Sequence, residues 1–227
     1  MNINYIQRKI FSEENLTLIK KLISKCEWRD GVDSTQGIGH VVKKNFEVVE
    51  SELKSQINSI VMKSLDSDQK FMEFCIPRNS DECLITKTVT GGYYNPHRDY
   101  GLNGDFSTTI FISNPEDYGG GELCLYLDGI EKKFKPESGT AITYKSGILH
   151  RVNEVSWGER IVCVLWSKTA IKDETIRNIY INLQHVIGIL SKNGIKEMSH
   201  KNFDYINEDP VFILGQLVED IMRNYYL

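Results

Sequence analysis

Hydrophobic positions follow two rhythms along this chain, helical towards both ends and strand-like in the middle. Leu16, Ile19, Leu22, Ile23 and Cys26 recur at helical spacing behind Ser12-Glu13-Glu14, a capping serine followed by two acids for the first turn. Val49, Leu53, Ile57, Ile60, Val61 and Leu65 form a second stripe and predict a helix over residues 46–65, with Glu50, Glu52 and Lys54 on its solvated face. Between them Trp28 to Gly39 is polar and glycine-bearing, which reads as a loop or a short irregular pair of strands. From Phe71 the texture changes. Short runs rich in branched and aromatic residues cover 83–86, 107–112, 123–127, 140–144 and 160–166, separated by turn residues. Strands at such spacing predict a sandwich or barrel rather than βαβ units. Asp128-Gly129, between two of them, is a hairpin signal because glycine accepts the positive φ a tight turn demands. Helical spacing returns after Lys172, through Ile176, Ile179, Tyr180, Leu183, Val186, Ile187 and Leu190, and again through Val211, Leu214, Leu217, Val218, Ile221 and Met222. The reading is one structural unit: helices over 1–70, a β core over 71–171 and a helical extension over 172–227.

Composition narrows the class without naming a function. The 27 basic and 31 acidic residues leave a net charge of −4. That is no electrostatic footprint for a nucleic-acid backbone. Arg8, Lys9, Glu13 and Glu14 interrupt any apolar leader, and no run of about eighteen apolar residues occurs. A soluble, cytoplasmic protein with no membrane or nucleic-acid partner is expected. The five cysteines are scattered, lack a CxxC and sit among apolar neighbours, so they read as small buried hydrophobes rather than disulfides or zinc ligands.

The candidate chemistry lies in His97-Arg98-Asp99 and the distant His150. Two imidazoles and one carboxylate can occupy one face of an octahedron, which is what a non-heme iron(II) site needs, and three positions then stay open. On a strand or its end, the i, i+2 spacing points His97 and Asp99 to the same side. Only a fold that joins distant strands can add His150. The competing reading makes His97 a turn cap and His150 a surface or core histidine. His40, His185 and His200 have no partner at metal spacing.

Several segments in order resemble the iron(II)/2-oxoglutarate dioxygenases of the prolyl-4-hydroxylase type. They are Tyr94-Asn95-Pro96-His97-Arg98-Asp99, Gly119-Gly120-Gly121-Glu122-Leu123, Pro136-Glu137-Ser138-Gly139-Thr140-Ala141, Leu149-His150-Arg151-Val152, Gly158-Glu159-Arg160 and Trp166. The likeness is nearest to the PKHD-type hydroxylases, which share the segment from Phe111 to Glu122 and a helical tail. It covers roughly residues 83–190, and earlier residues only in texture. The resemblance implies a double-stranded β-helix, or jelly-roll barrel, mainly β with flanking helices. It implies iron(II) held by His97, Asp99 and His150, with 2-oxoglutarate and O2 as co-substrates and L-ascorbate as a candidate reductant. Arg160 then forms a salt link with the distal carboxylate of 2-oxoglutarate, since a guanidinium fork matches a carboxylate and keeps its charge. Tyr94 has two readings, a hydrogen bond to the co-substrate or packing beneath the metal. Lys87 also has two, a polar group reaching the site or an exposed strand lysine. Glu122 reads as a turn residue rather than a fourth ligand, and Trp166 as wall and core.

The implied reaction decarboxylates 2-oxoglutarate to succinate and hydroxylates an unactivated C–H, first of all in a prolyl residue of a peptide or protein. A free amino acid, another small metabolite or a nucleobase is the alternative substrate. A non-catalytic jelly-roll binding protein is the alternative from another class, and retention of His97, Asp99, His150 and Arg160 together speaks against it. The Tyr100–Asp105 stretch reads as a mobile loop at the mouth of the site or as an ordinary surface loop. Monomer and homodimer both remain open.

Overall fold

The computed structural model describes residues 4–31, 43–99, 104–195 and 209–226. His40, His200, the segment after Gly31 as far as Gly39 and most of the Tyr100–Asp105 stretch lie outside the described residues. The chain forms two compact units, Met1–Lys168 and Thr169–Leu227.

The first unit is built on two antiparallel sheets. Its strands are β1 (Tyr5–Lys9), β2 (Trp28–Asp30), β3 (Lys43–Lys44), β4 (Phe46–Val48), β5 (Pro77–Ser80), β6 (Leu84–Val89), β7 (Tyr93–His97), β8 (Phe106–Phe111), β9 (Tyr118–Gly120), β10 (Leu123–Leu127), β11 (Ile130–Phe134), β12 (Thr140–Lys145), β13 (His150–Val152) and β14 (Val155–Thr169). The larger sheet has the order β1-β12-β8-β14-β6-β4-β2, with β5 and β9 also paired to β14, and the smaller has the order β11-β10-β13-β7-β3. From β6 to β14 the chain alternates between them: β6, β8, β12 and β14 lie in the larger sheet, β7, β10, β11 and β13 in the smaller. This is the jelly roll. It sets strands far apart in sequence side by side, so β13 pairs with β7 and His150 stands opposite His97.

Period-two alternation divides each strand of the larger sheet between two cores. Ile85, Phe106, Ile110, Cys163 and Leu165 face outward onto α1 (Glu13–Ile23), α2 (Glu52–Asp66) and α3 (Gln69–Cys75), where Leu16, Ile19, Ile57, Val61, Leu65 and Phe71 complete a dry cluster. Phe111, Ile142, Tyr144 and Val162 face inward and meet Leu123, Leu125 and Phe134 of the smaller sheet. The cysteines are free and four of them are buried, Cys75, Cys83 and Cys163 within the outer of these clusters. Ser12 caps α1 as its position implied, accepting from the Asn15 N–H at 3.2 Å. At Asp128-Gly129 both residues have positive φ (49° and 81°), and Leu127 pairs with Ile130 across the two-residue turn.

Two elements depart from the periodicity. The helix expected over 46–65 begins at Glu52, capped by Ser51, because Phe46–Val48 instead joins the sheet edge with Glu47 opposite Thr86. Tyr5–Lys9, within the region expected to be helical, extends the other side of the sheet against β12. Both are cases of an available sheet edge overriding weak local preference.

In the second unit α4 (Glu174–Lys192) and α5 (Pro210–Tyr225) follow the two predicted stripes and pack against each other. Asp173 and Asp209 cap them, accepting from the N–H groups of Ile176 and of Val211 and Phe212. Among the described residues no helix is long and apolar enough to cross a membrane.

Candidate metal and co-substrate site

His97 closes β7 and His150 opens β13, directly across the pair. Asp99 follows two residues after His97, its N–H donating to the Ser146 carbonyl at 3.3 Å. The three side chains converge: one ligand atom from each lies within 4.8 Å of the others, a group that could hold a metal ion. Both imidazole Nε2 atoms stand 3.7 Å from Asp99 Oδ1. Their other nitrogens face carbonyls, His97 Nδ1 that of Asn95 at 2.7 Å and His150 Nδ1 that of Ile148 at 2.9 Å. A carbonyl only accepts, so each Nδ1 carries a proton and each Nε2 is the nitrogen turned to the cluster. Burial, with the second imidazole next in weight, lowers the His97 pKa to about 4, which leaves the ring neutral near pH 7. Two imidazoles and one carboxylate are the donor set of a non-heme iron(II) site. The residues present fit that ion.

Tyr94 stacks on the His97 ring, centroids 3.7 Å apart and planes inclined by 22°. Of its two readings, packing beneath the cluster describes its ring. Burial, then the nearby Asp99 and Glu47 charges, push its phenol to about 12, so it remains a neutral donor.

Arg160 lies on β14 opposite Thr88, on the inward face shared with Val162, and is 3% exposed. Among the described residues it has no acidic partner, and its Nε makes no hydrogen bond. The guanidinium lies over the Phe111 ring at 5.2 Å. Burial lowers its pKa, while Tyr118 and Tyr144 oppose the shift. The Tyr118 hydroxyl is likewise buried without a hydrogen-bond partner. A buried cation beside an unsatisfied phenol is costly unless an anionic acceptor completes it. The inside of the barrel therefore holds a metal-type cluster and, on the facing sheet, a buried guanidinium without an acidic partner among the described residues.

The glycine run explains how Arg160 fits. Gly121 has φ +66°, and a Cβ there would meet the Tyr118 ring at 2.9 Å and Arg160 Cδ at 3.1 Å. Gly121→Ala is expected to lower stability by about 1–2 kcal/mol for the left-handed backbone. By displacing Arg160 it should also raise the apparent KM for 2-oxoglutarate. Thermal unfolding and a co-substrate titration measure the two effects.

Lys87 is not brought to this site. Register places it opposite Ile161, on the outward face, with Nζ 4.4 Å from the Trp28 ring centroid. Period-two alternation puts its neighbours Thr86 and Thr88, not Lys87, on the Arg160 side. Lys87→Ala is therefore expected to leave the 2-oxoglutarate KM unchanged and to lose about 0.5–1 kcal/mol of stability with the cation–π contact. Glu122 accepts a hydrogen bond from Asn153 Nδ2 at 2.8 Å, as a turn residue does, and is not in the metal-type cluster. Trp166 stands opposite Ser107 on the inward face. His185 lies on α4, in the second unit.

Four contributing residues escaped the sequence reading. Tyr144, fully buried, meets the His150 ring edge-on at 5.1 Å, and Tyr118 lines the Arg160 pocket. Burial and then the Asp99 charge push the Tyr144 phenol well up. Ser107 and Ser146 form a hydrogen-bonded chain onto Asp99. Alternation along 140–144 could have marked Tyr144 as inward. Nothing local marks the serines.

Known proteins carry the same organisation. Residues 83–168 match the family model of the 2OG-Fe(II) oxygenase superfamily. A PKHD-type hydroxylase of Prochlorococcus marinus (strain MIT 9301) is 34% identical over 200 residues, covering 84% of this chain and 90% of that protein. Among solved structures, a Pseudomonas putida prolyl-4-hydroxylase superposes with a TM-score of 0.54 at 18% identity, over 73% of this chain and 92% of its own. A Trichoplax adhaerens prolyl hydroxylase, in complex with a hypoxia inducible factor oxygen degradation domain peptide fragment, does so with 0.59 at 13% identity, over 72% and 83%. The chain belongs to the 2OG-Fe(II) oxygenase superfamily, among its PKHD-type hydroxylases. It is an enzyme of the oxidoreductase class, and membership implies iron(II), 2-oxoglutarate and O2.

Proposed function

We propose that this enzyme hydroxylates a prolyl residue of a peptide or protein while converting 2-oxoglutarate to succinate and carbon dioxide. His97, Asp99 and His150 hold the iron(II) and Arg160 anchors the co-substrate. The observation that carries the reading is the buried guanidinium of Arg160, without an acidic partner among the described residues, in the same barrel interior as the His-Asp-His cluster. Bound iron(II) supplies the chemistry that couples O2 and 2-oxoglutarate to insertion of a hydroxyl into a C–H bond.

The chain's own groups do the rest. The Asn95 and Ile148 carbonyls fix the two imidazoles, so no rotation is needed when the metal enters. Arg160 receives the distal carboxylate of 2-oxoglutarate through a charge-assisted pair, with Tyr118 donating beside it. Phe111, Val162 and Leu125 exclude water around that pair, which strengthens it. The prolyl substrate is supported by the PKHD-type relatives and by the peptide-bound Trichoplax adhaerens enzyme. L-ascorbate as reductant belongs to the same proposal.

The test is succinate release from 2-oxoglutarate under Fe(II) and O2, with and without proline-containing peptides. Stimulation accompanied by a +16 Da peptide product is expected. Stimulation by a free amino acid, another metabolite or a nucleobase instead would replace the substrate assignment and keep the rest.

A further inference from the structure

Asp99 has two oxygens, and the structure treats them differently. Oδ1 faces both imidazole Nε2 atoms. Oδ2 accepts a hydrogen bond from Ser107 Oγ at 2.5 Å. Ser107 is fully buried in β8, between β12 and β14, and its Oγ is 2.8 Å from that of the buried Ser146. A hydroxyl has one proton. Ser107 gives its proton to Asp99, so Ser146 must donate to Ser107, and the chain runs Ser146 to Ser107 to Asp99. Ser146 is itself held at both backbone ends, its N–H donating to the Asp105 carbonyl at 3.0 Å and its carbonyl accepting from Asp99 N–H at 3.3 Å.

We propose that Ser107, oriented by Ser146, is a positioning residue that makes Asp99 a one-oxygen metal ligand. The inference rests on the metal reading above. An unrestrained carboxylate can rotate and offer both oxygens to an ion. Here Oδ2 is occupied by a charge-assisted hydrogen bond from a fully buried hydroxyl, and only Oδ1 faces the imidazoles. The consequence is more than affinity. Two imidazoles and one oxygen leave three positions for co-substrate and O2, whereas a second Asp99 oxygen would take one of them. Ser107 thus maintains both the strength of the site and its openness.

The experiment is an anaerobic Co(II) titration of the full chain, followed by visible absorption, for wild type, Ser107→Ala and Ser107→Thr. Loss of an outer partner of a metal ligand weakens binding about 10–100-fold. That loss is expected in Ser107→Ala, together with a changed Co(II) spectrum from altered coordination, and Ser107→Thr should restore both. Thermal unfolding of the metal-free proteins reports whether each variant is folded. If Ser107→Ala is not, Ser107→Cys, whose thiol is a weak donor, takes its place with the same expected loss. Wild-type affinity and spectrum in the donor-deficient variant would overturn the role of Ser107 while leaving the metal site standing. Failure of the wild type to bind Co(II) at all would overturn the metal reading itself.

Discussion

His150→Ala is expected to abolish measurable Fe(II) binding under anaerobic titration and, with it, all 2-oxoglutarate turnover. His97 and Asp99 alone cannot define a face of the ion. The loss should exceed the roughly 10–100-fold that removing an outer partner costs. Because His150 begins a short strand and its ring contacts Tyr144 and His97, the variant also needs a fold check. Circular dichroism and the unfolding temperature of the metal-free protein provide it. Retention of one Fe(II) per folded chain would remove His150 from the ligand set.

Arg160→Ala is expected to raise the apparent KM for 2-oxoglutarate strongly while Fe(II) affinity stays at the wild-type level. A buried charged pair broken on one side costs about 2–5 kcal/mol, and each 1.4 kcal/mol is about tenfold. The effect should therefore be at least about 30-fold. Arg160→Lys keeps the charge without the planar fork and should recover only part of it. Stability sets this residue apart from an ordinary buried salt bridge. Without co-substrate the guanidinium has no acidic partner among the described residues, so removing it relieves an uncompensated charge. Adding 2-oxoglutarate should then raise the unfolding temperature of the wild type and not that of Arg160→Ala. An unchanged KM would place the anchor elsewhere.

Much of this was legible in residues and their spacing. Alternation and turn residues from Cys83 to Trp166 defined a β core, helical stripes defined its flanks, and His97-x-Asp99 with His150 and Arg160 stood out as chemistry. Local pattern failed where short segments were recruited towards the two ends of the larger sheet. Phe46–Val48 pairs with β6 on one side and β2 on the other, and Tyr5–Lys9 pairs with β12, so each is a strand because the larger sheet offers it partners. Lys87 shows the failure most sharply. Counting back from His97 makes it a candidate for the site, yet cross-strand register turns it to the opposite face, onto Trp28.

The sequence by itself made the β architecture legible, through short-range periodicity, and the candidate ligands and the family legible through the resemblance of its motifs in order. Only the tertiary structure decided which groups support them. Ser107 and Ser146 meet Asp99, and Tyr118 meets Arg160, because the chain crosses repeatedly between two sheets and register then selects the facing side chains. Such neighbours are distant in sequence and carry no local signal. A one-residue shift of register would turn Ser107 and Tyr118 away from the site, since successive side chains on a strand point to opposite faces.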